Sequence, residues 1–126
     1  MLTSGGDCSS LNAAIRAVVK RAIHGYNLEV IGICDSTEGL LATPPRTMPL
    51  ALDVFSGAVL RSGGTMLGTV NKGNPFSYQM PDGEITDRSS QAVDSIHQLN
   101  LDGLIGIGGD GSMKILHALT QQADIP

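Results

Sequence analysis

The stretch Leu104-Ile105-Gly106-Ile107-Gly108-Gly109-Asp110-Gly111-Ser112 decides the fold. A short apolar run feeds a tight glycine turn. Behind it Met113, Leu116 and Leu119, with Ile115 and His117 flanking, give a helix its inner face. A strand, a glycine turn and a helix in that order leave backbone N–H groups and the positive end of a helix dipole open to an anion. The chain does this twice. Met1-Leu2-Thr3 runs into Ser4-Gly5-Gly6-Asp7, after which Leu11, Ala14, Ile15, Val18, Val19, Ala22 and Ile23 fall at helical spacing, with Asn12, Arg16, Lys20 and His24 off that stripe. Two such turns in one small domain suit a ligand with several phosphates, held from two directions.

The intervening pattern alternates. Gly25 is expected to end the first helix in a left-handed conformation, and Leu28 to Cys34 reads as a mostly buried strand. A loop with Gly39 and Pro44-Pro45 leads to a short helix over Val54 to Leu60, then to the Gly63-Gly64 turn and a brief strand at Met66-Leu67. Val70 to Glu84, with Pro75, Pro81 and Asp82-Gly83, reads as loop. Asp87 is the expected N-cap of a helix whose Ala92, Val93, Ile96 and Leu99 share one stripe. Leu104 to Ile107 is the second buried strand.

Strands alternating with helices imply right-handed crossovers and a Rossmann-like α/β fold of three layers, a parallel sheet flanked by helices on both faces. Ligands in such sheets lie beyond the carboxyl ends of the strands, where both glycine turns fall. Met1-Leu2-Thr3 reads as the tail of a strand and Asp124-Ile125-Pro126 as the start of another. The expectation is therefore a partial N-terminal nucleotide-binding domain over residues 1–126, truncated at both ends.

Composition removes several classes of function. With 126 residues, 41% of them hydrophobic, and a net charge of -4, the chain lacks the basic face that nucleic acid requires. Its aromatic residues are Tyr26, Tyr78, Phe55 and Phe76, too few for a base-stacking platform. No apolar run approaches the roughly 20 residues of a membrane span, and no secretory leader is evident, so a soluble, cytoplasmic protein is expected. Cys8 and Cys34 are too few for a disulfide framework or a metal site and read as reduced, mostly buried thiols.

Gly106 to Gly111 satisfies G-x-G-x-x-G after a strand, a weak fingerprint alone. Asp110 fits poorly against a pyrophosphate resting on bare glycine backbone. A carboxylate beside phosphate needs a cation between them, which makes Asp110 a candidate Mg²⁺ ligand; capping the helix is its plainer role. There is no P-loop motif. Arg16, Lys20 and His24, spaced by four, form either a solvated face or an anion site. Lys72, in Asn71-Lys72-Gly73-Asn74, is the cation placed to reach a nucleotide phosphate, while His97 and His117 read as structural.

Together these motifs resemble the N-terminal portion of the bacterial phosphofructokinase family. Thr3-Ser4-Gly5-Gly6-Asp7-Cys8 followed by Leu11-Asn12-Ala13-Ala14-Ile15-Arg16 looks like its opening signature. Gly63-Gly64-Thr65-Met66-Leu67-Gly68-Thr69 looks like the second, and Ile107-Gly108-Gly109-Asp110-Gly111-Ser112 like the third. Their order and spacing match the family across essentially the whole chain.

The resemblance implies an ATP-dependent 6-phosphofructokinase, passing the γ-phosphoryl of ATP to the 1-hydroxyl of fructose 6-phosphate in glycolysis. By that resemblance the Gly5 N–H would donate to the transferring phosphoryl, and Lys72 and Gly73 would contact ATP. Gly109, Asp110, Gly111 and Ser112 would hold the nucleotide, with Asp110 on Mg²⁺. Arg16 and Lys20 match positions that bind an anionic allosteric effector in regulated members, which are homo-oligomers (homotetramers). Pyrophosphate-using relatives tend to carry a bulkier acidic residue at the place of Gly111, so glycine favours ATP.

Two departures stand out. The family usually has Pro-Gly where this chain has Ser9-Ser10, and a side chain at Ser10 is expected to tighten the first turn. The family's Thr-x-Asp-Asn-Asp run, which carries the base for the sugar hydroxyl, would begin just beyond Pro126, so these 126 residues alone are expected to be inactive. The alternatives are a pyrophosphate-dependent phosphofructokinase, a lipid or NAD kinase with a similar Gly-Gly-Asp-Gly turn, and a non-catalytic nucleotide-binding regulatory module.

Overall fold

The computed structural model describes residues 1–126 apart from Asp7, Ser56, Asn71 and Lys72 and the side chain of Leu60. Lys72 and Asp7, both singled out above, therefore lie outside the described residues. Strands β1 (Leu2–Thr3) and β6 (Gly106–Ile107) pair in parallel, Leu2 opposite Gly106 and Thr3 opposite Ile107. The ladder is longer than the strands, because Leu2 N donates to Ile105 O at 3.0 Å and Ser4 N to Ile107 O at 2.9 Å.

On the other side of β1, Met1 N donates to Ile31 O at 2.6 Å and Ile33 N donates to Met1 O at 2.8 Å. That is a parallel pairing with β2 (Ile31–Ile33). Strand β3 (Thr47–Pro49) then pairs antiparallel with β2, so the order across the sheet is β3, β2, β1, β6. Beyond β6, Leu104 N donates to Pro126 O at 2.8 Å.

Residues of successive pleat face opposite sides, and each side carries a core. Leu2 and Ile33 pack with Leu40 and Leu41, with Ala92 and Ile96, and with Leu116, Leu119 and Ala123. These come from α2 (Thr37–Leu41), α3 (Ser89–Gln98) and α4 (Asp110–Ala123). On the opposite face Met1 packs with Ile15 and Val19 of α1 (Leu11–Tyr26), and with Leu50, Phe55 and Leu67. The three-layer α/β expectation is thus met. Leu2, Ile15, Ile33, Leu40, Ile96 and Leu119 are fully buried, each contributing roughly 1.5–3 kcal/mol of apolar transfer.

Several local expectations are corrected. The first helix ends at Asn27, with φ 52° and ψ 41°, rather than at Gly25. Asn27 N and Leu28 N reach back to Ile23 O and Ala22 O, both at 3.1 Å, and asparagine tolerates that conformation. The expected strands shrink, since regular strand covers only Ile31–Ile33 of 28–34 and Gly106–Ile107 of 104–107. Met66-Leu67 is not a strand, although Leu67 O accepts from Asp35 N at 2.7 Å. The short helix over 54–60 is a pair of 3-10 turns, Leu52–Phe55 and Val59–Arg61. The segment 37–41, expected as loop, is α2.

The stretch 70–84 also holds more than loop. Here β4 (Tyr78–Gln79) pairs with β5 (Ile85–Thr86) around a turn in which Gly83 N donates to Met80 O at 2.9 Å. Pro81 and Gly83 occupy the positions such a turn favours. Ile105 is 48% exposed and Met113 is 38% exposed, so neither is the core residue the apolar pattern suggested. Asp87 is not the N-cap of α3: that position is Arg88, one residue later, although Asp87 Oδ1 accepts from Ser89 N at 2.8 Å. Ser89, through its side chain and then its backbone, holds the Asp87 carboxyl below the usual range.

Asn12 was expected on the solvent side of α1, yet it is buried. Its amide donates to Val59 O at 3.1 Å and Ser62 O at 3.4 Å, and its Oδ1 accepts from Met66 N at 2.7 Å. Asn12→Ala strands these backbone groups in a dry place and is expected to cost roughly 2–4 kcal/mol, read as a lower urea midpoint with an unchanged m-value.

Candidate functional site

Parallel pairing puts the carboxyl ends of β1, β2 and β6 on one edge, so the chain leaves them side by side. From β1 comes the first turn. Gly5 sits at φ 95°, where only glycine is at ease, and its carbonyl accepts the Thr69 hydroxyl at 2.6 Å. The Thr3 hydroxyl donates to Gly68 O at 2.8 Å and meets the Thr65 hydroxyl at 2.9 Å. The second glycine segment, 63–69, is therefore a brace that ties down the first turn from below.

From β6 comes the other turn. Gly109 precedes α4 with an extended backbone and offers no side-chain cap. Met113 N is the first helical amide bonded back, to Gly109 O at 3.0 Å. The amides of Asp110, Gly111 and Ser112 are left to whatever lies in front of the helix, at the positive end of its dipole. The two turns touch: a Cβ built at Gly5 would lie 3.7 Å from Ser112 Oγ and 3.8 Å from Gly109 N. Gly108 makes the closeness possible, since a Cβ there would come within 2.6 Å of Ser4 O.

From β2 comes the third element. After Cys34 the chain turns into α2, and Thr37 and Glu38 face the same space. The Thr37 hydroxyl donates to Gly73 O, which holds the loop after the brace. Tyr78 of β4 donates its hydroxyl to Glu38 Oε2 at 3.0 Å, and Arg88 lies over the Tyr78 ring at 4.7 Å. Partial burial and the neighbouring Glu38 carboxylate push the Tyr78 hydroxyl up, so it stays a donor at neutral pH.

Together these elements enclose a cleft of about 750 Å³ lined by Ser4 and Gly5, by Thr37 and Glu38, by Gly73, Asn74 and Tyr78, and by Gly111, Ser112 and Lys114. That volume lies within the range of small-molecule sites. The sequence-derived candidates Gly5, Gly73, Gly111 and Ser112 meet in it. Gly109 adjoins Gly5 at its rim, and Asp110 is the exposed first residue of α4. Nothing lies within 4 Å of a Cβ built at Gly111, so glycine there keeps space open rather than serving packing. Sequence reasoning passed over Lys114, Glu38 and Tyr78; Lys114 lies one turn behind Asp110, and that spacing was its one signal.

Among the described residues no group of three His, Cys, Asp or Glu side chains could hold a metal alone. Asp110 as a single carboxylate beside unpaired helix amides fits Mg²⁺, which takes one or two carboxylates and completes its shell with phosphate oxygens and water. Arg16 and Lys20 lie elsewhere, lining an exposed groove of about 440 Å³ with Arg21 and His24. No helix among the described residues is long and apolar enough to cross a membrane.

Ser10 does not strain the first turn. It sits at φ -103°, a conformation open to any residue, and its hydroxyl lies 3.2 Å from Cys8 Sγ. Contrary to the buried thiols expected, Cys8 is exposed and Cys34 half-buried.

The family model described as phosphofructokinase matches residues 1–126. ATP-dependent 6-phosphofructokinase 1 of the cyanobacterium Nostoc sp. is 58% identical over 99% of this chain, and the match covers 34% of that relative. The corresponding protein of Synechocystis sp. is 51% identical over 99% of this chain and 34% of its own length. A solved phosphofructokinase from Saccharomyces cerevisiae superposes with a TM-score of 0.76 at 31% identity, over 97% of this chain and 15% of that one. The chain thus spans about a third of the length of the curated relatives it matches. It belongs to the phosphofructokinase family.

The Ser10 hydroxyl and backbone hold the exposed Cys8 thiol below its ordinary range, so more of it is thiolate near pH 8 than in an unassisted cysteine. Ser10→Ala raises that pKa. Iodoacetamide labelling of Cys8 should then slow at pH 7.5 and converge with wild type at pH well above the thiol range.

Proposed function

We propose that this member of the phosphofructokinase family supplies the nucleotide site of an ATP-dependent 6-phosphofructokinase, which passes the γ-phosphoryl of ATP to the 1-hydroxyl of fructose 6-phosphate. One observation carries the reading. Two strand-turn-helix turns open into a single cleft, and Gly111 on its wall has nothing within 4 Å of a Cβ built there.

Phosphoryl transfer asks a protein for position and charge neutralisation rather than covalent chemistry. The amides of Gly109, Asp110, Gly111 and Ser112 present the positive end of α4 to the phosphates. The Gly5 N–H, in a turn fixed by Thr69, donates to the phosphoryl in flight. Gly73 borders the nucleotide, and Lys114 supplies a cation on the cleft wall; Lys72 belongs to the same proposal, from outside the described residues. Asp110 would hold Mg²⁺, which when bound there neutralises phosphate charge. Arg16 and Lys20 are assigned to an anionic effector, in a cytoplasmic homo-oligomer.

The test is donor use by the full-length gene product. Product should form from fructose 6-phosphate with ATP and not with inorganic pyrophosphate; turnover with pyrophosphate alone would reverse the assignment. Gly111→Asp puts a carboxylate where the nucleotide's phosphates belong. The KM for ATP should rise at least roughly tenfold, because like charges face one another. The melting temperature should hardly change, since no atom packs against that position.

A further inference from the structure

The cleft contains a group that a polyphosphate site has no use for. Glu38 lies on its wall, and a carboxylate opposes the charge of every phosphate brought near it. It is not there by accident of mobility. Oε2 is anchored by the Tyr78 hydroxyl at 3.0 Å, and Tyr78 is itself held under the Arg88 guanidinium at 4.7 Å. Arg88 is fixed in turn by Gln91 Oε1 at 2.7 Å and Leu41 O at 3.2 Å. The other oxygen, Oε1, has no hydrogen-bond partner among the described residues. It stands 3.6 Å from a Cβ built at Gly73, another residue of the cleft wall. Lys114, the cation on the cleft wall, makes no ion pair with it within 4.0 Å.

A fixed carboxylate whose second oxygen has no partner among the described residues is an acceptor only. The neutral, donor-bearing part of a nucleoside triphosphate is its nucleoside, with ribose hydroxyls and, on adenine, an amine. Resting on the ATP reading above, we infer that Glu38, positioned by Tyr78, accepts a hydrogen bond from the nucleoside and so selects a nucleotide over a bare polyphosphate as donor. The cleft is divided by charge. Amides and Lys114 serve the phosphates, and the Glu38 carboxylate serves the nucleoside.

The test uses the full-length gene product, wild type and Glu38→Gln, with calorimetric binding of ATP, ITP, 2′-deoxy-ATP and inorganic tripolyphosphate. Glu38→Gln should weaken ATP about tenfold, the difference between a charged and a neutral acceptor. Tripolyphosphate should bind as well as before or more tightly, because a negative charge has gone. Tyr78→Phe, which frees the carboxylate without removing it, should weaken ATP by a smaller factor.

The penalty that ITP or 2′-deoxy-ATP suffers against wild type should shrink in Glu38→Gln, identifying amine or hydroxyl as the group held. The assignment is overturned if ATP binding is unchanged, or if both analogue penalties persist. It is also overturned if tripolyphosphate weakens in step with ATP, since that marks a disturbed cleft. Failure of wild type to bind ATP at all would instead remove the kinase reading beneath it.

Discussion

The pairing of β1 with β6 is the constraint from which the site follows. Residues about a hundred positions apart are held side by side by hydrogen bonds near 3 Å, Leu2 N to Ile105 O and Ser4 N to Ile107 O. Because the pairing is parallel, both strands run out at the same edge. An antiparallel pairing would send the two glycine turns to opposite ends of the sheet, and no single ligand could meet both. The register matters as much as the direction. With Leu2 opposite Gly106, Leu2 turns towards α4, and the missing side chain at Gly106 leaves room for Leu116. A slip of β6 by one residue would bring Ile107 into the place where Gly106 now leaves room for Leu116.

Around that edge the structure spends side-chain hydroxyls on holding backbone. Thr3, Thr37 and Thr69 each donate to the carbonyl of a glycine, at Gly68, Gly73 and Gly5 respectively. Glycine turns are permissive and would otherwise sample many shapes. A short, stiff hydroxyl donor from a neighbouring segment selects one shape without filling the space in front. Asn12 does the same on a larger scale, with donor and acceptor both used on the 59–66 segment. The arrangement keeps amides aimed and the cleft empty, which is what a polyanion site needs before its ligand arrives.

The opening signature of the sequence therefore serves two purposes that a linear motif cannot separate. Gly5 lines the cleft, while Thr3 and Asn12 face inward and brace. The second signature belongs wholly to the brace: Thr65, Gly68 and Thr69 meet Thr3 and Gly5 and do not line the cleft. Its place in the sequence pattern is explained by what it holds, rather than by what it binds.

Much of this was legible in the residues. Apolar runs followed by glycine turns and helical stripes marked both turns that open into the cleft, because period and turn chemistry are local properties that survive without a partner. The stripes on α1 and α3 were legible for the same reason. What was not legible rests on distant neighbours. Asn12 reads as a polar surface residue until Val59 and Met66 are placed against it, and Ile105 reads as core until its uncovered face is seen. The β4–β5 hairpin is too short for alternation to show, and the antiparallel β3 edge carries no period of its own. Glu38 and Tyr78 stand 40 positions apart, so their pairing exists only once α2 and the hairpin are packed together. Local chemistry set which turns could bind an anion; long-range packing decided that they share one cleft, because only a folded sheet brings distant strand ends within a few ångströms.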